Sequence, residues 1–149
     1  MYVQKPRINL LTKNKDGYYQ LYWSHLKKAD KYTVGSMIPA LSGLYELYYQ
    51  DEQKVMNLLN IGSGWRSGLR SQIREDIEPS IYKTDEVKKI LEDRTLFVRF
   101  SLCDIAENVQ DVVWFLNQIY FGDKHNVNDS GRFEKIFVNE FAPDKLHWI

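Results

Sequence analysis

The stretch GLYELYYQ, residues 43–50, decides the fold of this 149-residue chain. Apolar and aromatic side chains occupy both odd and even positions, which is typical of a strand that is buried on both faces. A second run of this kind, VMNLLNIG at 55–62, follows the polar segment QDEQK at 50–54. Two apolar runs joined by a short polar loop predict a β-hairpin. We expect its two strands to be central in the sheet.

The chain before this hairpin carries a second hairpin signal. Residues 7–23 form two short alternating runs around KNKDG at 13–17, where Asp16-Gly17 suits the positive φ of a tight turn. Residues 24–43 mix helical and loop signals, so we expect a connector with room for one short helix.

After the central hairpin the apolar period changes to four. Trp65, Leu69 and Ile73 predict the buried stripe of a helix that Pro79 ends. Each of these residues is followed directly by an arginine, which gives a cationic stripe: Arg66, Arg70 and Arg74. Such a stripe is either a binding surface or a solvated face whose charges pair with nearby acids, here Glu75, Asp76 and Glu78.

The second half of the chain alternates helical and strand signals. TDEVKKILED at 84–93 predicts an amphipathic helix with Thr84 as N-cap, and TLFVRFSL at 95–102 predicts a strand. A longer helix follows Asp104, and we expect these residues to face inward: Ile105, Val109, Val112, Leu116 and Ile119. The loop GDKHNVNDSG and a last amphipathic element, RFEKIFVNEF, complete the pattern.

This order predicts an α+β fold, a small mixed or antiparallel sheet flanked by helices. We expect a single domain over residues 1–149, with an N-terminal extension at 1–38, a core at 39–128 and a C-terminal tail at 129–149.

Composition limits the function classes. Twenty basic and twenty acidic residues cancel, so a site for a polyanion must be a local patch. The lone Cys103 cannot form an internal disulfide, and three scattered histidines give no zinc spacing. No run is long enough to span a membrane, and the first residues lack the apolar core of a signal peptide. We expect a cytoplasmic protein without a membrane partner; the sequence leaves its oligomeric state open.

The central segment resembles the GIY-YIG nuclease domain over roughly residues 39–128. Gly43-Leu44-Tyr45 is similar to the family's first motif, and Asn60-Ile61-Gly62 matches two of three residues of its second. Arg70 follows Gly62 at the spacing of the family's catalytic arginine, and Asp111 falls on its metal-binding glutamate.

The resemblance implies a metal-dependent DNA endonuclease. Tyr45, Asn60 and Arg70 would be catalytic, and Asp111, or Glu107 one turn earlier, would hold Mg²⁺ or Mn²⁺. The expected contacts with DNA are Arg66, Arg74 and Asn126. For this chemistry the catalytic and metal-binding side chains must meet in one cleft.

Two alternatives remain open from the sequence. Asn60, Asp111 and Arg74 depart from the family's residues, so the chain could be a degenerate domain that binds nucleic acid or a protein without turnover. The other alternative is that the motif match is accidental and that the chain is an interaction module with an aromatic surface.

Overall fold

The computed structural model describes residues 5–81, 83–122 and 124–144. The elements along the chain are β1 (Arg7–Lys13), β2 (Asp16–Tyr22), β3 (Lys27–Lys28), α1 (Lys31–Met37), β4 (Gly43–Gln50), β5 (Met56–Ser63), α2 (Leu69–Asp76), α3 (Asp85–Asp93), β6 (Leu96–Leu102), α4 (Ala106–Phe121) and β7 (Lys135–Phe141). The predicted α+β class is confirmed, and no described helix is long and apolar enough to cross a bilayer.

Seven strands form one curled mixed sheet in the order β5-β4-β6-β1-β2-β7, with β3 also pairing to β6. The predicted hairpins β1–β2 and β4–β5 are both antiparallel, and β4 also pairs antiparallel with β6. β1 meets β6 in parallel at Arg7 and Leu102, and β7 lies parallel to β2. The segments expected outside the core, 1–38 and 129–149, therefore supply strands to the same sheet.

Helices cover the two faces of this sheet unequally. On one face, α1, α2 and α3 pack over β4 and β6 around Val34, Leu69, Ile73 and Leu91. On the other face α4 packs over the remaining core, which includes Tyr19, Leu21, Trp23, Leu44, Val109, Val112 and Leu116. Because neighbouring residues of a strand point to opposite faces, Leu44 and Tyr45 belong to different cores.

Local differences from the sequence prediction lie at element ends. α2 begins at Leu69, so Trp65 precedes it and is 40% exposed. Ile105 and Ile119, expected to face inward, are exposed because Ile105 is the N-cap residue and Ile119 lies in the last turn of α4. Thr84 caps α3 as predicted, and its hydroxyl accepts a hydrogen bond from the Val87 amide.

Candidate functional site

Two of the predicted catalytic residues converge on an acid that the sequence did not single out for chemistry. The Tyr45 hydroxyl on β4 donates a hydrogen bond to Asp76 Oδ2 in the last turn of α2. Asn60 Nδ2 on β5 donates to the same oxygen at 2.7 Å. The hairpin and α2 thus position a tyrosine and an amide around one carboxylate.

Tyr45 is buried in this arrangement, with 1% of its surface exposed. Burial, and then the negative charge of Asp76, raise the pKa of its hydroxyl far above the ordinary value of 10. At neutral pH the group is therefore a neutral phenol that donates a hydrogen bond. A buried, protonated phenol does not fit the role of activating water.

An open cleft adjoins this cluster. Its volume is about 250 Å³, and it is lined by Asp76 and Asn60 together with polar and apolar residues: Leu47, Leu59, Lys83, Thr84, Val87 and His125. A small polar group could reach Asp76 from this side.

The predicted arginines lie on another side of α2. Arg70 Nε donates to the carbonyl of Ile38, the residue that ends α1, at 2.8 Å. Arg74 crosses α1 where Gly35 leaves room, since a Cβ at position 35 would lie 2.5 Å from Nη2 of that arginine. Arg70 and Asp76 are six residues apart, which is about 120° around a helix of 3.6 residues per turn. Arg70 thus faces α1, whereas Asp76 faces Tyr45.

The acids that are close in sequence do not form ion pairs with these arginines in the described structure. Glu78 forms its ion pair with Lys31 at 3.0 Å, and Asp76 accepts its hydrogen bonds from Tyr45 and Asn60. Within the described parts of the chain, no ion pair includes Arg66, Arg70 or Arg74. Arg66 and Arg74 are exposed to solvent.

Asp111 lies on the opposite face of the sheet, so the expected four-residue cleft does not form. Its Oδ2 accepts hydrogen bonds from the Tyr19 hydroxyl and from Arg132 Nη2, the latter at 3.2 Å. Its Oδ1 accepts one from the Ser130 amide at 2.7 Å. Burial, and then the hydrogen bond to Asp111, raise the pKa of Tyr19, which keeps that hydroxyl a donor.

These contacts do not fit a magnesium ligand, because the carboxylate is fully buried and already neutralised by Arg132. Glu107 is exposed on α4, and no group of three or more potential metal-binding side chains occurs among the described residues. Asn126 lines a different hollow, together with Trp65 and Asn128. The residues expected to hold metal and DNA are thus separated from Tyr45.

A buried ionic cluster under α4 was missed by the sequence analysis. Glu46 and Arg99 are direct cross-strand partners on β4 and β6, and Arg99 Nη2 lies 2.6 Å from Glu46 Oε1. The Arg99 guanidinium also lies over the rings of Trp23 and Tyr48 at 4.6 and 5.7 Å. Glu46 Oε2 is buried without a hydrogen-bond partner among the described residues. The available signal was a single opposite charge in each of two strongly apolar runs.

The fold and the site define an α+β protein with a curled seven-stranded sheet, in which Arg70 and Arg74 lie beside α1 and form no ion pair within the described residues. The chain belongs to the family described as "Uncharacterised protein", whose family model matches residues 7–149. No curated protein and no solved structure matches the chain.

Proposed function

We propose that this protein binds nucleic acid through Arg66, Arg70 and Arg74 and does not hydrolyse it. One observation carries the proposal: three guanidinium groups on or next to one helix have no carboxylate partner in the described chain, although acids stand close in sequence. Guanidinium groups bind phosphate oxygens through two donors at once. A local cationic group of this kind suits a polyanion even though the whole chain has no net charge.

Contacts made by these arginines would be to the phosphate backbone. Arg66 and Arg74 are exposed, while Arg70 uses Nε on the Ile38 carbonyl. The remaining guanidinium nitrogens of Arg70 are held in position by that bond. Phosphate contacts fix orientation and supply affinity without reading sequence, so the proposed binding is tolerant of base sequence.

Binding without turnover is favoured by the positions of the other residues. Hydrolysis by the mechanism that the resemblance implies requires a tyrosine that reaches water, with an arginine and a metal ligand nearby. Here Tyr45 is buried and protonated, Arg70 faces α1, and Asp111 is paired with Arg132.

A metal-dependent DNA endonuclease is the second candidate, and the convergence of Tyr45 and Asn60 on Asp76 beside an open cleft favours it. In this case Asp76, rather than Asp111, would hold Mg²⁺ or Mn²⁺. The bound ion would supply neutralisation of charge on the phosphate.

The experiment that tests the first proposal is equilibrium binding of a labelled DNA duplex, followed by fluorescence anisotropy. The variant Arg66→Gln/Arg74→Gln removes two exposed charges from the group. The matched control Lys88→Gln/Lys89→Gln removes two exposed charges from α3. We expect the arginine variant to bind DNA more weakly than the wild type and the lysine control to bind as the wild type does. An arginine variant that binds DNA as tightly as the lysine control would refute the proposed surface.

The second candidate is tested by incubating supercoiled and branched DNA with Mg²⁺ or Mn²⁺. Metal-dependent nicking by the wild type that is lost in Asp76→Asn would replace the first proposal with the second. A purified protein that binds DNA and leaves it intact supports binding without turnover.

A further inference from the structure

The half of the sheet formed by β1, β2 and β7 has a face that no described helix covers. Side chains of β2 and β7 that point inward, such as Tyr19 and Ile136, pack against α4. Helices α1 to α3 pack over the other half of the sheet. The outward side chains remain at the surface, where Leu11 is 62%, Phe137 43% and Phe141 45% exposed.

Strand register orders these outward residues into rows across the three strands. Leu11, Tyr18 and Phe137 form one row, and Arg7, Tyr22 and Phe141 form another. Between the two lies a row made only of amides: Asn9, Gln20 and Asn139. Successive rows on one face are about 7 Å apart along the strands. Two aromatic rows thus flank a row of hydrogen-bonding groups.

The aromatic rings in these rows are ordered by contact with each other. Tyr18 and Phe137 are stacked with ring centroids 5.0 Å apart, and Tyr22 and Phe141 are stacked at 4.9 Å. The Arg7 guanidinium lies 4.6 Å from the centroid of the Tyr22 ring. A hollow of about 470 Å³ opens beside the first stack and reaches the amide row at Gln20 and Asn139.

Charge on this face is predominantly positive. The end row contains Lys13, Asp16 and Lys135, and Arg7 lies at the other end. Three cations against one anion, placed around exposed rings and amides, complement a chain that carries phosphates and flat bases.

We propose that the outward face of β1, β2 and β7 is a binding platform for single-stranded nucleic acid. Unpaired bases stack on the two aromatic rows, the amide row hydrogen-bonds to base edges, and Arg7, Lys13 and Lys135 contact phosphates. Duplex DNA cannot use the rings, because its bases are stacked inside.

This inference rests on the proposed function in one respect: the bound strand is expected to continue from the platform to the arginine group formed by Arg66, Arg70 and Arg74. Arg7 lies beside Leu102 of β6, and Leu102 lies beside Gly43 of β4. Two strand spacings are about 10 Å. The Leu69 amide at the start of α2 donates a hydrogen bond to the Leu41 carbonyl, so Arg70, the second residue of this helix, lies near the same end of the sheet. A strand leaving the platform at Arg7 can continue towards this group.

The test compares a labelled oligothymidine of about 15 nucleotides, within the range of one binding face, with a duplex of equal length. The variant Phe137→Leu/Phe141→Leu keeps apolar side chains on β7 and removes two rings. The control Tyr32→Leu removes a ring that is 84% exposed on α1. We expect at least about a fivefold loss of single-strand affinity for each ring removed, with duplex binding unchanged and no effect of the control.

The outcomes of the binding experiments and of a crosslinking experiment separate the possibilities. Loss of duplex binding in Arg66→Gln/Arg74→Gln with single-strand binding insensitive to the leucine variant overturns the platform and keeps the proposed function. Absence of binding to both DNA forms overturns both. A wild-type protein that is a dimer, with a leucine variant that is a monomer, overturns the platform in favour of self-association.

Ultraviolet crosslinking of the wild type to an iodouridine oligonucleotide needs no variant. Adducts on Tyr18, Tyr22, Phe137 or Phe141 support the platform, and adducts confined elsewhere overturn it.

Discussion

Tyr45 on β4 and Gly62 on β5 are cross-strand partners, and the Tyr45 phenol occupies the space that a side chain at position 62 would need. A Cβ at Gly62 would lie 2.5 Å from the Tyr45 hydroxyl oxygen and 2.6 Å from the ring carbon that carries it. Because the ring lies across Gly62, its hydroxyl reaches Asp76 on α2. The pairing of a tyrosine with a glycine in the two motif strands thus has a structural reason, apart from any catalytic role.

We predict that Gly62→Ala destabilises the protein by about 1–3 kcal/mol, because the ring must move in a packed core. The shift would also break the hydrogen bond from Tyr45 to Asp76. Urea denaturation measures the effect, with Ser63→Ala, at an exposed neighbouring position on β5, as control. A Gly62→Ala protein as stable as the wild type would contradict the close contact.

The pairing of Glu78 with Lys31 can be tested by pH titration. The hydrogen bond from Lys31, followed by those from Ser80, lowers the pKa of Glu78 from 4.5 to about 2. The folded pKa lies below the unfolded value, so this contribution to stability is present above pH 4.5 and is lost as the pH falls towards 2. We expect Lys31→Gln to raise the pKa of Glu78 and Arg74→Gln to leave it unchanged, as measured by NMR of the carboxyl carbon. A rise in Arg74→Gln would mean that the arginine is paired after all.

Asp111 is predicted to be a structural residue. Asp111→Asn removes the negative charge that Arg132 and the Tyr19 hydroxyl contact in a fully buried position. We expect a loss of about 3 kcal/mol in the free energy of unfolding, and no rise in Tm on adding Mg²⁺ to either protein. A Tm that rises with Mg²⁺ in the wild type and not in Asp111→Asn would instead establish Asp111 as a metal ligand.

The Glu46–Arg99 pair should behave as a unit. Glu46→Leu removes the near partner of the buried Arg99 and leaves it only the longer contact to Glu140 Oε1 at 3.6 Å, which we expect to cost about 3 kcal/mol. Glu46→Leu/Arg99→Leu removes both charges of the pair and should recover much of that loss. Denaturant unfolding of Glu46→Leu, Arg99→Leu and the double variant gives the coupling energy between the two side chains. Additive losses would show that the two side chains are energetically independent.

The order of elements from residue 43 to 121 is readable from the sequence because the signals are local. Runs of Tyr and Leu, the change to a four-residue period, and Thr84 as a cap act within a few residues of each other. The end of α2 near Pro79 and the start of α3 follow from the same local chemistry. The α+β class can therefore be predicted without knowledge of long-range contacts.

Placement of the candidate site could not be predicted in the same way. Whether Asp111 meets Arg70 depends on which face of the sheet α4 covers, and this follows from the strand order and from the core that β2 builds with Tyr19 and Leu21. The stacking of Tyr18 on Phe137 likewise requires β7 to pair with β2, although the two strands are more than 110 residues apart along the chain. No local pattern carries that information.

The central claim, phosphate binding by Arg66, Arg70 and Arg74, is tested most directly by the salt dependence of duplex DNA binding. Each phosphate contact contributes about −0.9 to the slope of log K against log salt concentration. We predict that Arg66→Gln/Arg74→Gln reduces the magnitude of the wild-type slope by about 1.8, while Lys88→Gln/Lys89→Gln leaves it unchanged. An identical slope in the wild type and the arginine variant would contradict the account.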